Sequence, residues 1–159
     1  MARMLIVYFS KSGHTQKMAE VIAEAAREVE GVEVDVRPVA EVQPEDLLEY
    51  DGIVMGSPVY YGTMAAQLKQ LIDDSVRYHG QLDGKVGGGF ASAGGEGGGA
   101  QTTVMDIVKA LMIHGMIVKG MAMGDHYGPT GVGMPDDRSC GECRKYGRMV
   151  AELVKRLFG

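Results

Sequence analysis

Ser10-Lys11-Ser12-Gly13-His14-Thr15 puts three hydroxyls and a glycine directly ahead of a stretch with helical periodicity. Backbone N–H groups and the dipole at a helix start favour negative charge, the hydroxyls add donors, and Gly13 allows a tight turn. The ligand this pattern suits is a phosphate dianion. A helix merely capped by Ser12 or Thr15 is the alternative. The spacing is neither the Walker pattern G-x-x-x-x-G-K-[ST] nor the dinucleotide fingerprint G-x-G-x-x-G.

Two further segments have the composition of ligand loops. In Gly56-Ser57-Pro58-Val59-Tyr60-Tyr61-Gly62-Thr63-Met64, Pro58 stiffens a turn and the glycines let backbone approach a flat ring that two tyrosines could flank. A half-buried loop or an interface patch would read the same way. Ser92-Ala93-Gly94-Gly95-Glu96-Gly97-Gly98-Gly99-Ala100-Gln101-Thr102 spends much conformational entropy on glycine, which suits bare backbone beside a ligand. A flexible surface loop is the plainer reading. Gly95-x-Gly97-x-x-Ala100 matches the dinucleotide fingerprint only superficially. Cys140-Gly141-Glu142-Cys143 holds both cysteines. They are reduced thiols near the start of the last helix, or a redox dithiol, or half of a metal site shared between subunits, since structural zinc and iron–sulfur sites usually take four ligands. One chain offers no complete metal set.

The elements that must position these loops follow from hydrophobic period. Residues 4–9 form a continuous apolar run, as a strand buried on both faces does. Val32, Val34 and Val36 alternate with charged residues, which predicts an edge strand. Residues 52–56, Lys85–Ala91 and Met116–Gly120 supply three more strands. Helical stripes lie between them: Met18, Val21, Ile22, Ala25 and Val29; Met64, Leu68, Leu71, Ile72 and Val76; Val104, Ile107, Val108, Leu111 and Met112. Tyr146, Met149, Val150, Leu153 and Leu157 stripe a closing helix. Pro38–Leu48 reads as a connector with one short helix. Five strands alternating with helices predict an α/β doubly wound parallel sheet, for which the order 2-1-3-4-5 is a common solution, with helices on both faces. Ligands of such sheets sit at the carboxyl ends of the strands, where the three loops fall.

Composition narrows the classes. The 159 residues suit a single domain, 1–159, with a full core. No apolar run approaches a membrane span, and the start of the sequence has no leader pattern, so a cytoplasmic protein is expected. A formal charge of −5 argues against nucleic acid as a partner.

Taken in order, Tyr8 through Thr15, Tyr50 through Gly62, Phe90 through Thr102, His114-Gly115-Met116 and Tyr127-Gly128-Pro129-Thr130-Gly131 resemble the WrbA family of NAD(P)H:quinone oxidoreductases, relatives of flavodoxin. The likeness covers most of the chain. It implies a flavodoxin-like fold, FMN as cofactor, NADH or NADPH as donor, a quinone or similar acceptor, and a homodimer or homotetramer. Residue by residue, it implies Ser10, Lys11, Ser12, Gly13, His14 and Thr15 at the FMN phosphate. Pro58, Val59, Tyr60, Tyr61 and Gly62 fall on the isoalloxazine, and Ser92, Ala93, Gly94, Gly95, Gly97 and Gly98 on the ring edge and ribityl chain. His114 matches a histidine near flavin and quinone in that family, where it and Tyr61 would orient or protonate the acceptor. As a plain helix C-terminal residue before Gly115, it would instead complement the helix dipole.

The chain departs from the family in four places. The segments between the second and third strands and between Gly120 and Tyr127 are short, tryptophan is absent, and the cysteine pair is foreign to the pattern. A flavodoxin-type electron carrier that does not meet nicotinamide is the alternative function. Carriers tend to be strongly acidic, whereas this chain is only mildly so.

Overall fold

Apolar runs form strands and the periodic stretches between them form helices, as the alternation predicts. A computed structural model describes residues 1–159. In chain order the elements are β1 (Ala2–Tyr8), α1 (His14–Arg27), β2 (Val32–Pro38), β3 (Gly52–Tyr60), β4 (Thr63–Met64), α2 (Ala66–Asp74), β5 (Val86–Ala93), α3 (Ala100–Ile113), β6 (Ile117–Val118), β7 (Thr130–Val132) and α4 (Asp137–Phe158). Short 3-10 turns at Val39–Glu41 and Pro44–Glu49 occupy the connector, and another at Ser75–Tyr78 extends α2. The sheet runs β2-β1-β3-β5-β6 with all pairs parallel, and β2 at one edge as its alternation requires. This is the order 2-1-3-4-5 of the flavodoxin-like fold, with β4 folded back on β3 and β7 added beside β5.

Successive residues of β1 supply two different cores, because side chains alternate across a strand. Met4, Ile6 and Tyr8 pack under α1 and α4, while Leu5 and Val7 pack under α2 and α3. Three residues expected on core stripes are exposed instead. Val76 is 70 % exposed because α2 gives way to a 3-10 turn that changes the period. Met112 sits beside Leu111, which takes the inward position, and Leu157 lies in the last turn of α4.

The fifth strand departs from the expected single segment at Met116–Gly120. It forms in two pieces on one edge of β5: β6 beside Val86 and Gly87, and β7 beside Ala91 to Ala93. Residues 119–129 leave the sheet between them. In the gap, the Gly89 N–H donates to the buried Tyr146 hydroxyl (3.0 Å), which replaces the missing strand. A Cβ on Gly88 would lie 2.2 Å from that hydroxyl, so the glycines of β5 make room for Tyr146. Thr130-Gly131-Val132 is too short to display a strand period, and only the neighbouring edge of β5 makes it one.

The loop 119–129 is tied to α4 by buried charge. The carboxylate of Glu142, 7 % exposed, accepts from the Asp125 N–H (2.9 Å) and from Lys145 Nζ (2.6 Å). Asp125 in turn accepts from the Thr130 N–H (2.8 Å) and from Arg138 (3.0 Å). The Lys145 bond first, and then the Asp125 N–H, holds the Glu142 carboxyl below its ordinary value. A carboxyl depressed in the folded state contributes stability that is complete above its unfolded pKa and fades as pH falls through the folded one. Glu142→Gln is therefore expected to destabilise at pH 7 but to match the parent once pH falls below the folded value. Urea midpoints measured across the acid range check this, and a pH-independent difference would refute it.

Candidate functional site

The three loops singled out by sequence emerge together at the carboxyl ends of β1, β3 and β5. Gly13, with φ +91°, is the N-cap of α1. No side chain caps the helix and no acidic residue lies in its first turn. The first backbone bond into the helix runs from Lys17 N–H to Gly13 carbonyl, so the N–H groups of His14, Thr15 and Gln16 have no protein acceptor. Capping by Ser12 or Thr15 is thereby excluded. Ser10 Oγ accepts from the Gly13 N–H (3.2 Å) and shapes the turn, while Lys11 and Ser12 stand exposed and His14 is half-buried. A concentration of unused donors at the positive end of a helix, facing solvent, favours an anion.

Thr15 has a side-chain partner within the protein. It is buried, and its hydroxyl shares a 2.8 Å hydrogen bond with Ser92 Oγ at the end of β5. Ser92 therefore locks the first loop to the third from inside, and Ala93 beside it is buried as well. What the third loop offers outward is the exposed stretch Gly94–Gly98, folded on itself by the Gly98 N–H to Gly95 carbonyl bond (3.0 Å).

The middle loop is a hairpin. Val59 pairs with Met64 and Tyr60 with Thr63, which leaves Tyr61 and Gly62 as the two turn residues. Both have positive φ, +49° and +79°, as a type I′ turn requires. Tyr61 is the one non-glycine residue of the chain in that region, and it is fully exposed. Ser57 braces the root: its hydroxyl accepts from the Ala65 N–H (2.8 Å) and donates to the Pro58 carbonyl (2.7 Å). The Tyr60 ring stands edge-on to Phe9, with centroids 6.1 Å apart. Phe9 closes the apolar run 4–9 and opens the first loop. Its place beside Tyr60 follows from the same alternation that sends Leu5 and Val7 to the α2 side.

Room for a ligand lies between these walls. A Cβ at Gly13, Gly62, Gly94, Gly95 or Gly97 would meet nothing within 4 Å. Unpaired N–H donors at one end, exposed tyrosine at the other and bare glycine backbone along the side fit a flavin nucleotide.

His114 does not join this site within one chain. It is the C-cap of α3, which runs back from the loops for 14 residues, about 20 Å at the helical rise. There the next residue's carbonyl accepts from the Gly84 N–H just ahead of β5, at the end of the strands opposite the three loops. Buried His114 holds Ser75 Oγ by Nε2 (2.7 Å), and its ring lies 5.9 Å from that of His79. The Ser75 hydroxyl donates to the Ile72 carbonyl (2.6 Å), so Nε2 carries the histidine's proton. Burial first, and His79 second, lowers the His114 pKa and keeps the ring neutral. His114 stands at the helix C-terminus, but as a neutral ring it does not complement the helix dipole.

The two cysteines differ in exposure, Cys140 being half-buried and Cys143 buried. Cys143 is fully buried in the core under α1 and α4, and burial pushes its thiol up to about 12. A thiol so rarely ionised is a poor nucleophile and a poor metal ligand. No group of three metal-ligating side chains occurs anywhere in the chain.

Comparison with known proteins agrees with this geometry. A family model described as "Flavodoxin domain" matches residues 5–112, a span that contains all three loops. A flavodoxin of Aquifex aeolicus is 39 % identical over 162 positions, covering 97 % of this chain and 88 % of that one. An NAD(P)H dehydrogenase (quinone) of Archaeoglobus fulgidus is 32 % identical over 191 positions, covering 99 % and 100 %. Among solved structures, a WrbA-like flavodoxin from Agrobacterium tumefaciens superposes with a TM-score of 0.82 at 25 % identity, covering 98 % of this chain and 99 % of the other. A flavodoxin from the domain Archaea gives 0.79 at 29 %, covering 96 % and 99 %. The sheet order, the uncapped α1 and the matched span lead to one conclusion: this chain belongs to the flavodoxin family.

Proposed function

We propose that the protein is an FMN-dependent NAD(P)H:quinone oxidoreductase. The observation that carries the reading is the uncapped start of α1, set across from the Tyr60-Tyr61-Gly62 hairpin and the Gly94–Gly98 loop. The N–H groups of His14 to Gln16, with Ser10, Lys11 and Ser12, would hold the FMN phosphate. Pro58, Val59, Tyr60, Tyr61 and Gly62 would flank the ring, with Gly94, Gly95, Gly97 and Gly98 along its edge. When bound, FMN supplies the exchange of electrons between nicotinamide and quinone, and the protein supplies position and exclusion of water. Relatives named NAD(P)H dehydrogenase (quinone), such as that of Acidithiobacillus ferrooxidans at 33 % identity, support the donor and acceptor. Two free cysteines suit the reducing cytoplasm as the setting. Exposed Val76, Met112 and Ile113 suit a homodimer or homotetramer, which light scattering tests.

The test is to load the protein with FMN and mix it anaerobically with NADH or NADPH. Rapid bleaching of the flavin, reversed by a quinone, is expected. Bleaching by dithionite alone would favour the second reading, an electron-carrying flavodoxin. That reading draws on identity, since the Aquifex flavodoxin is 39 % identical and the Archaeoglobus and Acidithiobacillus quinone dehydrogenases 32 % and 33 %.

Ser12→Ala separates the phosphate contact from the rest of the site. Ser12 is exposed and bonds nothing within the protein, so thermal stability without flavin is expected to stay unchanged. A lost hydrogen bond to a charged group is worth about 1.5 kcal/mol, so FMN affinity should fall about tenfold. Riboflavin, which lacks the phosphate, should bind both forms equally. Equal loss for both ligands would remove the phosphate from this loop.

A further inference from the structure

Beside the hairpin lies a groove of about 560 Å³ that the flavin site does not use. Its walls are the connector after β2 and the first turns of α2, and Val39, Val42, Pro44, Ala66 and Leu71 line it together with Phe9. Phe9 joins the groove to the candidate site, because its ring packs edge-on against Tyr60. No basic side chain lines it, and Asp74 is its single acid. Gln43, Gln67 and Gln70 supply the remaining polar groups, all neutral amides. Phosphates and carboxylates find no counter-charge here, whereas an uncharged chain gains by leaving water. By contrast, a hollow of about 640 Å³ at the far ends of α1 and α4 is lined by Glu28, Arg148, Glu152, Lys155 and Arg156, and suits no apolar ligand.

We propose that the groove holds the aliphatic chain of a lipid-soluble quinone whose ring lies at Tyr60. The proposal rests on the reductase reading for the identity of the occupant. An aliphatic chain suits a lining that is mainly apolar, with one acid and no base, and the Phe9–Tyr60 contact makes the groove continuous with the hairpin. Each buried methylene strengthens binding about fourfold, so a chain of a few carbons gains tenfold or more.

The test compares a benzoquinone without a side chain with the same ring bearing a decyl chain, as substrates of the FMN-loaded protein. The expected result is a kcat/KM at least tenfold higher for the decyl quinone, carried by KM. Ala66→Trp, which fills the groove from an exposed position at the start of α2, should erase that ratio. Gln70→Trp, one turn further on, should do the same if Ala66→Trp fails to fold. In parallel, decanol titrated into the FMN-loaded protein should shift the methyl resonances of Val39, Val42 and Leu71, and should do so far less in the filled variant. Equal kcat/KM for both quinones, or a ratio that survives filling, overturns the proposal while the reductase reading stands. If neither quinone is reduced, the reductase reading fails and takes the quinone occupant with it. Decanol shifts that persist unchanged in the filled variant would remove the groove as a site for any chain.

Discussion

Replacing Tyr61 with asparagine is expected to stabilise the protein and to damage its function. Tyr61 holds φ +49° at the first position of a two-residue hairpin turn followed by Gly62. Asparagine followed by glycine is the pair this turn prefers, whereas a tyrosine there costs about 1 kcal/mol or more. The ring is fully exposed and packs on nothing within the chain, so removing it forfeits no core contact. Tyr61→Asn should therefore raise Tm by about 2–4 °C. Loss of aromatic contact with a flavin, worth about 0.5–1.5 kcal/mol, should weaken FMN binding up to tenfold. Misplacement of ring or acceptor should lower quinone turnover by about a hundredfold. Tyr61→Phe keeps the ring and is expected to keep the binding. A Tyr61→Asn protein that binds and turns over like the parent would show that the strained backbone serves something other than the flavin site.

Gly56→Ala tests the centre of the sheet. Gly56 lies on β3 between β1 and β5, and a Cβ there would sit 2.0 Å from Phe90 Cζ and 2.2 Å from its Cε2. Phe90 is fully buried in the core under α1 and α4, and three paired strands fix the backbone around it. Neither side can give way cheaply. Overpacking of this kind costs about 3 kcal/mol, and the urea midpoint should fall accordingly with little change in slope. Gly56→Ala combined with Phe90→Leu should recover a large part of the loss, because the two positions share one contact. Full additivity of the two substitutions would place the strain elsewhere. Ser57 follows Gly56 and braces the hairpin, so a shift of β3 should also weaken flavin binding.

The order of strands and helices was legible in the sequence because each follows from a local period. The run at residues 4–9 and the alternation of Val32, Val34 and Val36 needed no partner to be recognised. The three loops were legible as well, since hydroxyls, glycine and paired tyrosines at strand ends are a local pattern. Which hydroxyl has a partner inside the protein was not. Ser12 and Thr15 are equivalent on paper, yet Thr15 turns inward because β5 brings Ser92 within 2.8 Å of it.

His114 and the fifth strand show the same division. By itself the sequence determined that His114 ends a helix before a glycine, and that a short apolar run follows. Only the tertiary structure decided that α3 carries His114 to the amino ends of the strands, beside Ser75 and His79. Only the open edge of β5 decided that Thr130-Gly131-Val132 is a strand, and that Tyr146, 57 residues from Gly89 in sequence, bridges the gap. Periods and caps are properties of neighbouring residues, and a chain carries them before it folds. Packing partners and exposed faces arise when distant segments meet, which here turned one hydroxyl inward, split one strand and left one tyrosine strained in solvent.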